Sequence, residues 1–130
     1  MINETKRREI LERLRSIEGK ELEEYRLDPC GALIRWSKYG DRSDDCGWEV
    51  DHVVPKAFLL SKGATEEEID ESVNLRPMQW ENNDAKNVDY PAYHTKIKYD
   101  GESNKRVDGI FEVNKELQRV LSNRYSKFGV

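Results

Sequence analysis

The sequence predicts an α+β protein with a helix at each end and, between them, an antiparallel strand pair followed by a short helix. Apolar residues recur at helical spacing near both ends of the chain, as in amphipathic helices. Two short central segments instead alternate apolar and polar residues, as half-buried strands do. No internal repeat, low-complexity tract or linker divides the 130 residues, so we expect a single domain over residues 1–130.

The first helix is predicted over residues 3–25. Ile10 and Leu14 are spaced as on one helix face, and charged residues fill most positions around them. Gly19 weakens the middle of the segment, and Asp28-Pro29 marks a turn after it. We therefore expect a flanking helix that ends before this turn.

Two strands are predicted over residues 32–38 and 47–51. The polar segment 39–45 lies between them, so an antiparallel hairpin is the simplest pairing. The side chains expected on the inner face of this hairpin are Ala32, Ile34, Trp36, Trp48 and Val50.

The rest of the chain alternates short helices with irregular and strand-like segments. Residues 65–68 have a capping-box pattern that opens a short helix. Residues 74–77 are expected to form an irregular link, and residues 78–87 a helix. Residues 93–99 alternate as a strand does, and a final helix is predicted over residues 112–127.

The charge of the chain is unevenly distributed. It carries 22 basic and 26 acidic residues, a formal net charge of −4, which argues against a general polyanion binder. Residues 1–50 carry −2 (10 basic, 12 acidic), residues 51–91 carry −5 (4 and 9) and residues 92–130 carry +3 (8 and 5). Either a cation site lies beside a polyanion contact, or these are ordinary solvated faces. Charge alone favours the solvated faces.

The sequence contains no recognisable targeting signal and no closely spaced pair of cysteines. There is no run of about 18 apolar residues, so no membrane span is predicted. The charged N-terminal segment lacks a signal-peptide core, which favours a cytoplasmic location. Cys30 and Cys46 form no CxxC pair; free thiols are favoured over a disulfide, and a metal role is the weakest alternative.

The segment from position 51 to position 86 carries a pattern of residues able to do chemistry. The residues that form it, in order, are Asp51, His52, Pro55, Asn74, Leu75, Asn83 and Lys86. This order resembles that of the HNH endonucleases, whose core is the ββα-metal fold. The separation of Asn74 and Asn83 (83 − 74 = 9) is similar to that in the HNH domains of CRISPR effector nucleases and in nuclease colicins. The resemblance covers about residues 28–91.

The resemblance implies a metal-dependent endonuclease that hydrolyses phosphodiester bonds in DNA and leaves 5′-phosphate and 3′-hydroxyl ends. Asp51 and Asn83 would be ligands of a divalent ion. Their oxygen donors favour Mg²⁺, with Mn²⁺ next and Zn²⁺ or Ni²⁺ less suited. His52 would be the general base, because a neutral histidine can take a proton from water. Asn74 would organise the loop that holds His52.

Other residues of the pattern have two interpretations each. Lys86 and Arg76 are expected to contact the phosphate backbone, although Lys86 could be a solvated lysine and Arg76 a surface ion pair. Asn87 is either a further metal ligand or a helix cap, and the cap is favoured. His94 either lines the cleft or lies on the surface, and the surface is favoured.

The alternative function is a non-catalytic nucleic-acid-binding module on the same fold. In both cases DNA is the expected partner, with RNA left open. Many HNH domains have two zinc-binding CxxC pairs around the site and this sequence has none, so the core must be stabilised by packing. The sequence leaves open whether the protein is a monomer or a homodimer, and what residues 92–130 contribute.

Overall fold

The α+β architecture predicted from the sequence is confirmed. The computed structural model describes residues 2–130, which form five α-helices and three two-stranded antiparallel sheets. The helices are α1 Glu4–Glu12, α2 Lys56–Ser61, α3 Glu66–Ile69, α4 Trp80–Lys86 and α5 Lys115–Arg124. The strands are β1 Tyr25–Leu27, β2 Leu33–Arg35, β3 Trp48–His52, β4 Leu75–Gln79, β5 Ala92–Tyr99 and β6 Asn104–Glu112. Among residues 2–130, no helix has the length and apolar content needed to cross a bilayer.

The first helix is much shorter than the predicted span of residues 3–25, which was wrong. Asn3 caps its start, with its side chain accepting a hydrogen bond from the Lys6 N–H at 2.9 Å. At its end lies the buried guanidinium of Arg26, whose Nη1 donates to three carbonyl oxygens in and just after the last turn. These oxygens belong to Leu11 at 3.3 Å, Glu12 at 3.0 Å and Leu14 at 3.0 Å.

The predicted pairing of residues 32–38 with 47–51 was also wrong. Strand β2 pairs with β1, and β3 pairs with β4 in a register that places Asp51 opposite Arg76 and His52 opposite Leu75. The expected irregular link at residues 74–77 is therefore largely strand. All five residues of β4 are buried, so the segment lacks the alternation that marks a half-buried strand.

The capping box that opens α3 is confirmed. The Thr65 hydroxyl accepts a hydrogen bond from the Glu68 N–H at 3.1 Å, and the Glu68 carboxylate accepts one from the Thr65 N–H at 2.9 Å. This helix ends beside Asp70, so its start indirectly sets the position of that side chain.

We expect Thr65→Ala to lower the free energy of unfolding by about 1 kcal/mol, because the Glu68 N–H loses its hydroxyl acceptor. Urea unfolding followed by tryptophan fluorescence measures this change. Thr65→Ser retains the hydroxyl and is expected to remain close to the unmodified protein. Equal losses in the two variants would contradict the capping role.

The last forty residues contribute five buried side chains to the main apolar core. The predicted strand over residues 93–99 lies in β5 and is confirmed, and the predicted final helix is present in shortened form as α5. The buried members of this core are Val53, Val54, Leu59, Ala64, Ile69, Met78, Tyr93, Val113, Leu121, Tyr125 and Phe128. A smaller buried cluster joins Leu11 of α1, Ile34 of β2 and Trp48 of β3.

Helix α4 is fixed by the buried side chain of Asn82. Its carbonyl oxygen accepts hydrogen bonds from the N–H groups of Lys96 at 2.8 Å and Ile97 at 2.9 Å, and its amide donates to the Ile97 carbonyl at 3.0 Å. The buried carboxylate of Asp28 accepts the Gln79 N–H at 3.0 Å, at the start of the same helix. The neighbouring Asn83 is thereby held on a rigid element.

Candidate active site

A small cavity lies between the end of β3 and helix α4. Its volume is about 230 Å³, and its lining includes three of the residues that the sequence predicted for the site, namely Asp51, His52 and Asn83. Asn87, Lys56 and Pro55 also line it. The cavity therefore brings the predicted base and the two predicted metal ligands to one place in the fold.

His52 is oriented by a carboxylate that the sequence did not indicate. Its Nε2 lies 2.7 Å from Oδ1 of Asp70, the residue that follows α3, and the His52 side chain is 18% exposed. Burial raises the pKa of Asp70, but the hydrogen bond and charge of His52 act against this, and the pKa is lowered overall. An ionised Asp70 accepts a hydrogen bond from Nε2–H.

This contact defines which ring nitrogen of His52 carries a lone pair. When Nε2 carries the proton that Asp70 accepts, Nδ1 is the nitrogen with a lone pair. Among the hydrogen bonds of residues 2–130, none involves Nδ1 of His52. The ring is therefore held at one nitrogen and available for proton transfer at the other.

Asn74 ties the loop after His52 to the segment that precedes β4. It is completely buried, and its Oδ1 accepts the Val54 N–H at 2.7 Å. Its Nδ2 donates to the carbonyls of Val54 at 3.2 Å and Ile69 at 3.1 Å. These are the cross-loop contacts expected of an organising asparagine, and one of them reaches the end of α3, next to Asp70.

Asp51 is held by two cations inside the protein. It is 4% exposed; its Oδ2 lies 3.0 Å from Nε of Arg76 and its Oδ1 lies 3.2 Å from Nζ of Lys86. Lys86 is 0% exposed and also donates to the His52 carbonyl at 3.2 Å. Burial lowers the pKa of Lys86, and Asp51 opposes that shift.

Arg76 and Lys86 were predicted to face DNA, but the structure places both inside the protein. Neither lines the cavity, and both are buried. Arg76 also donates from Nη2 to the Tyr93 hydroxyl at 2.7 Å. Their role in this structure is that of counter-ions to Asp51, because a phosphate contact requires a cation at the surface.

Asn83 hydrogen-bonds within the protein through the NH₂ end of its side-chain amide. Its Nδ2 donates to Oε1 of Glu49 at 3.0 Å. None of the hydrogen bonds within residues 2–130 involves its Oδ1. A neutral carbonyl oxygen at the cavity is the kind of donor that a hard cation accepts as a ligand.

The remaining candidates have structural positions that account for them. Asn87 ends α4 with φ of 49° and donates its N–H to the Asn83 carbonyl at 3.1 Å, so the predicted helix cap is confirmed. His94 is exposed on β5, as favoured, and does not line the cavity.

Both cysteines are free thiols, as predicted. Burial raises the pKa of Cys30 and of Cys46 to about 12 in each case, so both are protonated at neutral pH. Ligand atoms of Asp44, Asp45 and Cys46 lie within 4.8 Å of one another. This group lies in the loop before β3 and shares no residue with the cavity lining.

Known proteins provide no independent guide to function. Comparisons with protein-family models, curated proteins and solved structures give no match. A functional assignment therefore rests on the chemistry and geometry of the site itself.

Proposed function

We propose that the protein is a metal-dependent HNH-type endonuclease that hydrolyses phosphodiester bonds in DNA. The observation that carries the proposal is the shared cavity, in which His52, oriented by Asp70, lies with the available carbonyl oxygen of Asn83. A base and a hard oxygen donor at one site are what metal-assisted hydrolysis of a phosphodiester requires.

The order of elements supports a ββα-metal core within this α+β fold. Strands β3 and β4 are antiparallel, and α4 follows β4 directly. His52 ends the first strand and Asn83 lies in the first turns of the helix. The helices α2 and α3 are inserted between the two strands, and the second of them delivers Asp70 to the histidine.

In this proposal His52 takes a proton from the attacking water at Nδ1, while Nε2 remains hydrogen-bonded to Asp70. The negative charge of Asp70 stabilises the imidazolium that forms, and the hydrogen bond prevents the ring from rotating. Asn74 acts indirectly, because its bonds to Val54 and Ile69 hold the two segments that carry His52 and Asp70.

The donor atoms fit a hard divalent ion, although one of them, the Asp51 carboxylate, is already paired with two cations. Asn83 would provide a carbonyl oxygen and Asp51 a carboxylate, and oxygen donors of this kind favour Mg²⁺ or Mn²⁺ over softer ions. When bound, such an ion neutralises phosphate charge and stabilises the leaving oxygen. Arg76 and Lys86 already neutralise Asp51, so we expect weak metal binding in the absence of a substrate phosphate.

The proposal is tested with supercoiled plasmid incubated with Mg²⁺, with Mn²⁺ and with a chelator. We expect nicking with either ion and none with the chelator, and we expect DNA ligase to reseal the nicks because they carry 5′-phosphate and 3′-hydroxyl ends. A single-stranded DNA and an RNA of equal length identify the preferred substrate. Nicking that persists undiminished in chelator would contradict a metal-dependent enzyme.

The second candidate is a non-catalytic nucleic-acid-binding module. One observation favours it: the two cations on Asp51 leave a net positive charge beside the cavity, which opposes the entry of a divalent cation. Such a module would bind DNA with equal affinity in Mg²⁺ and in chelator, and it would not cut it.

A further inference from the structure

We infer that Glu49, held in place by Arg42, is a positioning residue that turns the Asn83 amide so that its carbonyl oxygen faces the cavity. The inference deepens the proposed function, because the oriented oxygen is the one assigned there as a metal donor. Glu49 touches neither substrate nor ion in this arrangement, and it acts only through Asn83.

The direction of the Asn83 amide follows from the chemistry of its partner. An ionised carboxylate can only accept hydrogen bonds, so only the NH₂ end of the amide can face it. Nδ2 of Asn83 lies 3.0 Å from Oε1 of Glu49. Arg42 donates to both carboxylate oxygens of Glu49, which is the bidentate arrangement of a guanidinium with an ionised carboxylate.

The two ends of the amide therefore point in different directions. Asn83 lines the cavity and Glu49 does not, so the tethered NH₂ group points away from the cavity towards Glu49. Because the amide is planar, with its oxygen and nitrogen on opposite sides of the terminal carbon, this tether directs Oδ1 the other way. An untethered asparagine would also present its NH₂ end, which repels a cation.

Arg42 fixes the position of the Glu49 carboxylate that accepts the Asn83 hydrogen bond. Its Nε and Nη2 donate to the two carboxylate oxygens of Glu49 at 2.7 and 2.9 Å. Its Nη1 and Nη2 also donate to Asp84 on α4, both at 3.0 Å, and its guanidinium lies 5.5 Å from the ring centroid of Trp80. Bidentate hydrogen bonds of this kind fix the relative orientation of the two side chains as well as stabilising their contact.

The chain offers a matched control for Glu49. Asp84 is the other carboxylate bound by Arg42, so Glu49→Ala and Asp84→Ala remove the same charge and each leave Arg42 with one carboxylate. Only Glu49 contacts the Asn83 side chain. Glu49→Gln is the conservative variant, because its carbonyl oxygen can still accept the Asn83 hydrogen bond.

The first measurement is of the Asn83 side-chain amide by ¹⁵N NMR in the metal-free 130-residue protein. We expect Glu49→Ala to move the Nδ2 resonances to those of a free amide, Asp84→Ala to leave them in place and Glu49→Gln to keep them close to the original. Unchanged resonances in Glu49→Ala would overturn the inference, whether or not the protein binds metal.

The second measurement is a Mn²⁺ titration of the same variants. We expect Glu49→Ala to weaken Mn²⁺ binding about 10- to 100-fold, the usual cost of losing a group that orients a ligand, and Asp84→Ala to have little effect. Equal losses in both variants would overturn the inference in favour of a charge effect. An unmodified protein that binds no Mn²⁺ would contradict the proposed function, and the amide resonances would still decide the role of Glu49.

Discussion

Replacing Asp51 with asparagine is expected to lower the free energy of unfolding by about 3–5 kcal/mol, the usual cost of breaking a buried ion pair from one side. Arg76 and Lys86 would both remain buried without their counter-ion. The effect matters for the site as well, because an inactive Asp51 variant could have lost either a metal ligand or its folded structure. Stability must therefore be measured before activity is interpreted.

Urea unfolding followed by circular dichroism measures this change, with two further variants beside it. Asp51→Asn combined with Lys86→Met removes one of the two orphaned cations and is expected to recover part of the loss. Glu116→Gln breaks an exposed pair with Arg119 and is expected to leave stability unchanged. A stable Asp51→Asn protein would show that the buried network contributes little to folding.

The stability deficit of Asp51→Asn should depend on pH in a defined direction. Burial already lowers the pKa of Lys86, and Asp51 opposes that shift. Without Asp51 the folded protein releases the Lys86 proton at a lower pH, while the unfolded chain keeps its proton up to the ordinary lysine range. The unfolded state then binds more protons, so stability rises with pH. We expect a smaller deficit at pH 9 than at pH 6.

His52 and Asn83, which the sequence predicted to lie close together, are on short, locally determined elements. His52 ends a strand whose boundaries were almost correct, and Asn83 lies in a helix whose start was misplaced by only two residues. Because the intervening segment returns the chain as β4, directly opposite β3, the two residues meet at one cavity. The order of these residues along the chain was sufficient to predict that they lie close together.

The parts that the sequence did not predict depend on tertiary contacts. Strand β4 is buried along its whole length, so its sequence lacks the alternation of apolar and polar residues that marks a half-buried strand. The carbonyl oxygens at the end of α1 accept hydrogen bonds from Arg26, which is distant in sequence. Asp70 follows a run of glutamates that is typical of a solvated helix start, and only the fold shows that it contacts His52.

The burial of Arg76 and Lys86 has the same origin. Lys86 lies three residues after Asn83, and a lysine at that position is normally solvated. It is buried because β3 places the Asp51 carboxylate beneath α4, and this carboxylate compensates the cost of removing the ammonium from water. Sequence spacing alone cannot distinguish a lysine that faces solvent from one that pairs with a buried acid.

His52→Ala is expected to slow plasmid nicking by about 10²- to 10⁴-fold, the usual contribution of a general base. The alanine removes the imidazole, which is the group proposed to accept a proton from water. Asp70→Asn is expected to have a smaller effect, because an asparagine oxygen can still accept the Nε2–H hydrogen bond while the negative charge is lost. The initial rate of supercoiled plasmid loss in Mg²⁺ measures both variants, with circular dichroism to verify folding.

The second histidine provides the control for this experiment. The chain has only two histidines, and His94 lies exposed on β5 without lining the cavity. His94→Ala therefore removes the same side chain from the same protein and is expected to nick plasmid at the unmodified rate. If His52→Ala kept that rate, or if both alanine variants lost activity equally, the base would not be the imidazole at the end of β3. A selective loss in His52→Ala, graded through Asp70→Asn, would assign proton transfer to the imidazole and its orientation to the carboxylate.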